Sequence, residues 1–331
     1  MTSTKDGSMH IQDIHRIFSD FIVGEILLAL EENGILGMIA TGNPFSIQTV
    51  ARGAGINEDK LRAACDFLSE QELCEKLSAD RYRLIGAYDD IKSSVDFFLA
   101  YKPAYESLAG LLNGSTRYGS DIMRNGIYYR RALDAIVAHS FPFLLIRFNE
   151  LGVKRVTGIG ANALGFLRVA LNELRPDACV GVVSDEERVE LEDERSARSR
   201  SFEDIRIVQG ELEHPEQFSV EAPAEALVSV AVFHDFRPED RLRAVLGEYK
   251  RAFPSSRMFL LEFDVQDQDG MRGGGASPAR HLASVSRLTH ALKEEIRPWP
   301  MSEWTRAIGR SPWRLAQAKK FESGLVIYEC E

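Results

Sequence analysis

Downstream of residue 150 the chain repeats one pattern, a short apolar run followed by a polar stretch rich in helix-forming residues. The runs are Lys154-Arg-Val-Thr-Gly158, Cys179-Val-Gly-Val-Val-Ser184, Ile205-Arg-Ile-Val208, Ala226-Leu-Val-Ser-Val-Ala-Val-Phe233 and Arg257-Met-Phe-Leu-Leu-Glu-Phe263. Unbroken Val/Leu runs predict strands buried on both faces, and their alternation with helices predicts a parallel, doubly wound α/β sheet. Ligands in such sheets sit at the carboxyl ends of the strands. Those ends carry Gly160, Ser184 with Asp185, Gly210 with Glu211, His234 with Asp235, and Glu262, so five strand ends aim polar groups at one edge. After the first run, Gly158 and Gly160 predict a tight turn into a helix from about Ala163, whose unpaired N–H groups face the same edge. A turn of this kind also serves as a plain strand-to-helix connection with no ligand.

The first third reads differently. Ile14, Phe18, Phe21, Ile22, Ile26, Leu27 and Leu30 recur at helical intervals and predict an amphipathic helix over about 11–38, with Gly34 near its stop. Ser46 then caps a short helix, Asn57-Glu-Asp-Lys-Leu61 opens another, and Cys74 to Leu84, with its Ala79-Asp80 turn, predicts a small β wing. Such a unit can read DNA. Here Glu58, Asp59, Asp66, Glu70, Glu72 and Glu75 outnumber Lys60, Arg62 and Lys76, the wrong balance for phosphate contact, so the apolar helical faces are expected to dimerise instead. From Tyr101 to Glu150 the pattern is helical again, broken by Gly114, Gly119 and Gly126. The glycine-rich run Asp264 to Pro278 is either a loop at a cleft edge or a plain surface excursion. Beyond it come a helix, Trp299, a helix around Trp304, and a last strand over Gly324–Cys330, expected antiparallel at the far end of the sheet.

Length and charge narrow the picture. With 331 residues and 44% hydrophobic content the chain suits two globular domains, placed at 1–105 and 106–331. No apolar run approaches the roughly 20 residues a bilayer span needs, and Met1 to Gly7 has neither the basic nor the apolar region of a signal peptide, so a cytoplasmic protein without membrane contact is expected. Cys65, Cys74, Cys179 and Cys330 lack metal spacing and are expected reduced and buried, with no metal site. A net charge of -10 disfavours nucleic acid and leaves a small-molecule ligand open.

The order of glycine turn, acidic patch, Gly210-Glu211, Val232-Phe-His-Asp-Phe-Arg-Pro-Glu-Asp240 and the strand Phe253-Pro-Ser-Ser-Arg-Met-Phe-Leu-Leu-Glu-Phe263 resembles the class I S-adenosylmethionine-dependent methyltransferases, specifically the two-domain small-molecule O-methyltransferases. The resemblance spans nearly the whole chain. It implies a Rossmann-like methyltransferase sheet behind an N-terminal helical, winged-helix dimerisation domain, S-adenosyl-L-methionine as cofactor, a small-molecule substrate and a homodimer. It assigns His234 as general base, with Glu262 helping to orient the ring; Asp235 could orient the ring instead, or simply cap the following helix. By position it places Gly158, Gly160 and Asn162 against the methionine part of the cofactor, Ser184 and Asp185 at the ribose, and Glu211 with Leu212 at the adenine. The segment Ile127 to Ser140 matches the helix that covers the substrate, which makes Tyr128, Tyr129, Ile136 and His139 cleft candidates; aromatic residues at helical spacing equally suit a core. Two departures stand out. The acid usual at the end of the first strand and the glycines usual in the turn are replaced by Thr157-Gly158 and Gly160-Ala-Asn-Ala-Leu164, and the acid expected after the second strand falls on Val183, with Asp185 its nearest substitute.

Three chemistries are consistent with this set. In the first, a small metabolite is methylated and His234, an imidazole that titrates near neutrality, takes the proton of the nucleophile. In the second, the cofactor is consumed without methyl transfer, by attack at another sulfonium carbon or by cyclisation that releases methylthioadenosine. The third is a methyltransferase-like catalyst that uses no cofactor. A non-enzymatic winged-helix regulator that senses a small ligand is the remaining alternative, and a DNA mobility shift separates it from the others. Glu186, Glu187, Glu190, Glu192, Asp193 and Glu194 are expected to form a solvated helix face.

Overall fold

The computed structural model describes residues 11–85, 88–197, 205–222, 224–264, 288, 291 and 299–331. The expected loop beyond Asp264 and the helix before Trp299 therefore lie outside the described residues. The chain divides into two compact units, Met1–Leu99 and Ala100–Glu331. The sequence puts the boundary after residue 105; the units divide within helix α5 (Tyr88–Glu106).

In the first unit, α1 (Ile11–Glu32) is followed by the short α2 (Leu36–Ile39), β1 (Phe45–Ser46), α3 (Ile47–Ala54), α4 (Glu58–Glu70), β2 (Cys74–Lys76) and β3 (Arg81–Leu84). Local capping fixes the helix starts. The Ser46 hydroxyl accepts the Thr49 N–H at 3.2 Å and Asn57 Oδ1 accepts that of Lys60 at 3.0 Å, while Gly55 closes α3 in the left-handed conformation at φ 68°. The three strands form an antiparallel sheet in the order β1-β3-β2. Beside it, Arg62 of α4 pairs with Glu58 at 2.8 Å and Lys76 of β2 with Asp66 at 2.6 Å. Cys65 and Cys74 are buried free thiols, as are Cys179 and Cys330 in the second unit.

The second unit begins with α6 (Leu108–Asn113), α7 (Gly126–Ala138) and α8 (Phe141–Leu151) and then enters the sheet. The strands are β4 (Arg155–Ile159), β5 (Ala178–Val183), β6 (Arg206–Gln209), β7 (Ala226–Val230), β8 (Arg257–Phe263), β9 (Leu315–Lys320) and β10 (Leu325–Cys330). Their order is β6-β5-β4-β7-β8-β10-β9, with the first five parallel and β10 running antiparallel to both of its neighbours, β8 and β9. The helices between them are α9 (Leu164–Leu174), α10 (Asp185–Ala197), α11 (Glu239–Ala252) and α12 (Met301–Gly309). Alternate residues of the strands serve opposite faces. Met258 and Leu260 join Tyr249, Phe218 and Trp304 under α11 and α12, whereas Phe259 meets Phe148 of α8, with ring centroids 4.9 Å apart.

Two expectations change at the sheet. The last strand is not the edge: β10 is buried between β8 and a further strand, β9, which occupies the edge. Leu315-Ala-Gln-Ala-Lys-Lys320 is half exposed, and such a polar, lysine-bearing segment shows no apolar run to read. The fourth run, expected as a strand to Phe233, leaves the sheet after Val230, because Ala231 turns to φ 49° and Phe233–Asp235 forms a 3-10 turn. At the opposite end of the sheet, buried Glu329 of β10 accepts hydrogen bonds from Arg147 of α8 at 2.8 and 2.9 Å and pairs with Arg257 of β8.

Candidate functional site

The glycine turn is built as its sequence requires. Gly160 sits at φ 81°, a conformation side chains rarely adopt, and its N–H donates to the Val182 carbonyl at 2.8 Å. A Cβ here would come 2.7 Å from Val232 Cγ2 and 3.4 Å from Glu187 Oε1. A 3-10 turn, Ala161–Ala163, then leads into α9. Gly158 lies within β4, where its missing Cβ makes room for Leu167 and Ala163; it permits the helix to pack closely on the strand.

Glu187 departs from expectation. It is not part of a solvated face: Oε1 accepts the Ala161 N–H at 2.9 Å and Oε2 accepts the Ser184 N–H at 2.9 Å, while the Ser184 hydroxyl accepts the Glu187 N–H at 3.3 Å. This is a reciprocal capping box, Ser184-Asp-Glu-Glu187, which additionally ties the start of α10 to the glycine turn. Desolvation raises the Glu187 carboxyl above its ordinary value, against the hydrogen bonds that favour its charge. The Ser-x-x-Glu spacing was the available signal. Glu186, by contrast, is exposed.

The sharp exit from β7 delivers His234 to the same region. Its Nδ1 lies 2.8 Å from Oε2 of Glu262, at the end of the neighbouring β8. Glu262 is fixed in turn, because its Oε1 accepts the N–H groups of Phe233 at 2.9 Å and Val232 at 3.2 Å. Both side chains are buried. On the other side of the ring, Asp235 Oδ1 stands 3.4 Å from Nε2. With the Nδ1 proton donated to Glu262, Nε2 is left as the proton acceptor; once it is protonated, the imidazolium lies between two carboxylates.

A cavity of about 300 Å³ opens here, lined by Ala161 and Asn162 of the glycine turn, Glu186 and Glu187 of α10, Asp235, and a wall from the 118–130 segment. That wall includes Tyr118, Met123, Arg124, Tyr129 and Arg130. Of the site residues singled out in the sequence, Asn162, Tyr129 and Asp235 line the cavity; His234 and Glu262 do not, and His234 adjoins the lining through its 3.4 Å contact with Asp235. Tyr128, Ile136 and His139 do not line it. Exposed His139 instead lies 2.9 Å through Nε2 from the Ser323 hydroxyl and packs on Phe321. Asp185 and Glu211 are exposed, Asp185 bonded to Gln209; Ser184 and Leu212 are half-buried, and the Leu212 carbonyl accepts the Tyr249 hydroxyl at 2.8 Å. These four stand along the ends of β5 and β6, outside the cavity wall. Tyr118, Arg124 and Arg130 were not legible, since a wall assembled from turns and half-exposed helix positions carries no motif.

Among the described residues no group of His, Cys, Asp and Glu is placed to hold a metal ion, and no helix is long and apolar enough to cross a membrane. No protein-family profile matches the sequence and no curated protein matches it. Solved structures do. Human N-acetylserotonin methyltransferase, determined in complex with SAM, superposes with a TM-score of 0.71 at 14% identity over 99% of each chain. PigF, determined with SAH, gives 0.67 at 12% identity over 98% of this chain and 100% of its own. The mitomycin 7-O-methyltransferase MmcR gives 0.64 at 14% identity over 97% of each. The fold of this chain is that of the class I, two-domain O-methyltransferases.

Proposed function

We propose that this protein is an S-adenosylmethionine-dependent methyltransferase acting on a small acceptor, with His234 taking the proton of the nucleophile. The observation that carries this reading is the buried His234–Glu262 pair, held by two backbone N–H groups at the strand ends where the glycine turn and the cavity also lie. The residues present fit the cofactor. Asn162 Nδ2 makes a long 3.5 Å bond to the Ala231 carbonyl, and the desolvated Glu187 carboxylate accepts from the Ala161 and Ser184 N–H groups, so the cavity keeps polar capacity for an amine and ribose hydroxyls. Gly160, Ala161, Asn162 and Glu187 would hold it, with Ser184, Asp185, Glu211 and Leu212 along the outer strand ends. When bound, it supplies an electrophilic methyl on a sulfonium centre.

The chain's own part is positioning and proton removal. An acceptor hydroxyl within reach of Nε2 would lose its proton to the imidazole. The positive charge that develops on the ring is stabilised by Glu262 on one side and Asp235 on the other. On the same reading the first unit is a winged-helix dimerisation domain, and the enzyme is a cytoplasmic homodimer of specialised metabolism without a nucleic-acid partner.

One observation favours a second reading. The Ala161 N–H of the glycine turn is already taken by Glu187, an arrangement that suits a cofactor seated or used differently, with methylthioadenosine released instead of the homocysteine product. Chromatography of the cofactor-derived product decides between them. S-adenosylhomocysteine establishes methyl transfer, methylthioadenosine establishes attack elsewhere, and the absence of calorimetric binding of either S-adenosylmethionine or S-adenosylhomocysteine at millimolar concentration rejects cofactor use.

A further inference from the structure

Arg124 is a cation in search of an anion. Its guanidinium lies half-buried in the cavity wall, stacked 3.7 Å from the centre of the Tyr129 ring, and among the described residues its side-chain hydrogen bond, at 3.5 Å, goes to the Tyr101 hydroxyl. No carboxylate pairs with it among the described residues, although most other arginines of this unit with an assigned partner sit on Asp or Glu. Withdrawing a guanidinium from water without a counter-ion is costly, and aromatic stacking offsets only part of that. The Arg124 backbone is held as well, its N–H donating to the Tyr118 hydroxyl at 3.2 Å.

Resting on the reading of His234 as the group that meets the acceptor, we infer that Arg124, with the phenols of Tyr118 and Tyr129, forms a subsite for a carboxylate carried by the acceptor substrate. A planar guanidinium presents paired N–H donors that match a carboxylate, and a stacked ring fixes its plane. Burial pushes the Tyr118 hydroxyl up to about 12 and raises that of Tyr129, so both are O–H donors at neutral pH. Tyr118, Arg124 and Tyr129 line the same cavity as Asp235, whose carboxylate stands 3.4 Å from His234 Nε2, so an anion held by this cluster lies in the cavity whose Asp235 wall adjoins His234. The acceptor class that fits is a hydroxylated aromatic acid, its hydroxyl toward His234 and its carboxylate on Arg124.

The probes are salicylate and its uncharged counterpart salicylamide, titrated calorimetrically into the full-length protein with and without saturating S-adenosylhomocysteine. Wild type is expected to bind salicylate at least tenfold more tightly than salicylamide, and Arg124→Gln to erase that preference while leaving S-adenosylhomocysteine affinity within twofold. Arg124→Lys, which keeps the charge but not the fork, should retain an intermediate preference and serves if Arg124→Gln does not fold. Equal binding of the two probes to wild type, or an unchanged preference in Arg124→Gln, overturns the subsite. Loss of S-adenosylhomocysteine binding in Arg124→Gln, with methylthioadenosine binding unaffected, assigns the carboxylate to the cofactor's amino-acid end and overturns the acceptor assignment. Because the probes are also titrated without cofactor, a protein that fails to bind S-adenosylhomocysteine but discriminates salicylate would retain the subsite and reject the proposed methyl transfer.

Discussion

Chemistry at the level of single residues rests on how few options His234 has. Its Nδ1 faces a carboxylate that is itself pinned by two main-chain donors, so the ring cannot swing without giving up its bond to a fixed partner. His234→Ala is expected to lower turnover about a hundredfold or more with little change in cofactor affinity, since a positioned proton acceptor is typically worth 10²–10⁴. Glu262→Gln is the more instructive change. Every group around this carboxylate donates, and an amide NH2 would have to face one of those donors, so turnover should drop less than for His234→Ala while the melting temperature also falls. A severe Glu262→Gln loss beside a mild His234→Ala loss would transfer the working role to the carboxylate. Steady-state kinetics and thermal melts of the two variants settle the matter. His234 and Glu262 were legible because each follows a buried apolar run. Glu187 was not read, because an acidic helix start looks like a solvated face unless the serine three residues earlier is taken as its cap.

Elements of the sheet were legible to the degree that burial was two-sided. β4, β5, β7 and β8 are buried along most of their length and match expectation to within a few residues, apart from the early end of β7, whereas β6, expected buried on both faces, is an edge strand exposed at all but Val208. The edge strand β9, polar on its open side, gave no apolar run to read. Its neighbour β10 carries a second consequence at Glu329. Burial alone would raise this carboxyl, but the hydrogen bonds and charges of Arg147 and Arg257 outweigh it and hold it below its ordinary value. A depressed folded-state value means that the pairing stabilises the fold above the ordinary carboxylate range and is lost as pH falls through the depressed value. Glu329→Gln is therefore expected to cost about 1–3 kcal/mol at neutral pH, below the roughly 3–5 of a fully buried pair because both arginines are partly exposed. The deficit should shrink on acidification; a deficit independent of pH in urea titrations would show that packing, not charge, holds β10 to α8.

Over the whole molecule, the proposed dimer rests on α1. Ile17, Phe18, Phe21 and Ile22 are exposed, Phe18 and Phe21 by 60% and 62%, and four large apolar residues on adjacent turns are more than a solvated helix normally carries. A homodimer through this surface is expected at micromolar concentration, with Phe18→Ser/Phe21→Ser shifting sedimentation toward the monomer; a wild-type monomer would remove this role for the helix. The site, in contrast, divides between two kinds of support. The proposed proton acceptor is set by adjacent strands of the sheet, whereas Tyr118, Met123, Arg124 and Tyr129 come from a segment punctuated by Gly114 and Gly119, both at positive φ. On the proposed reading, substrate range and reactivity have separate structural addresses, and a lineage descending from such a protein would exchange its acceptor by drift in that one stretch while the strand-borne machinery is inherited intact.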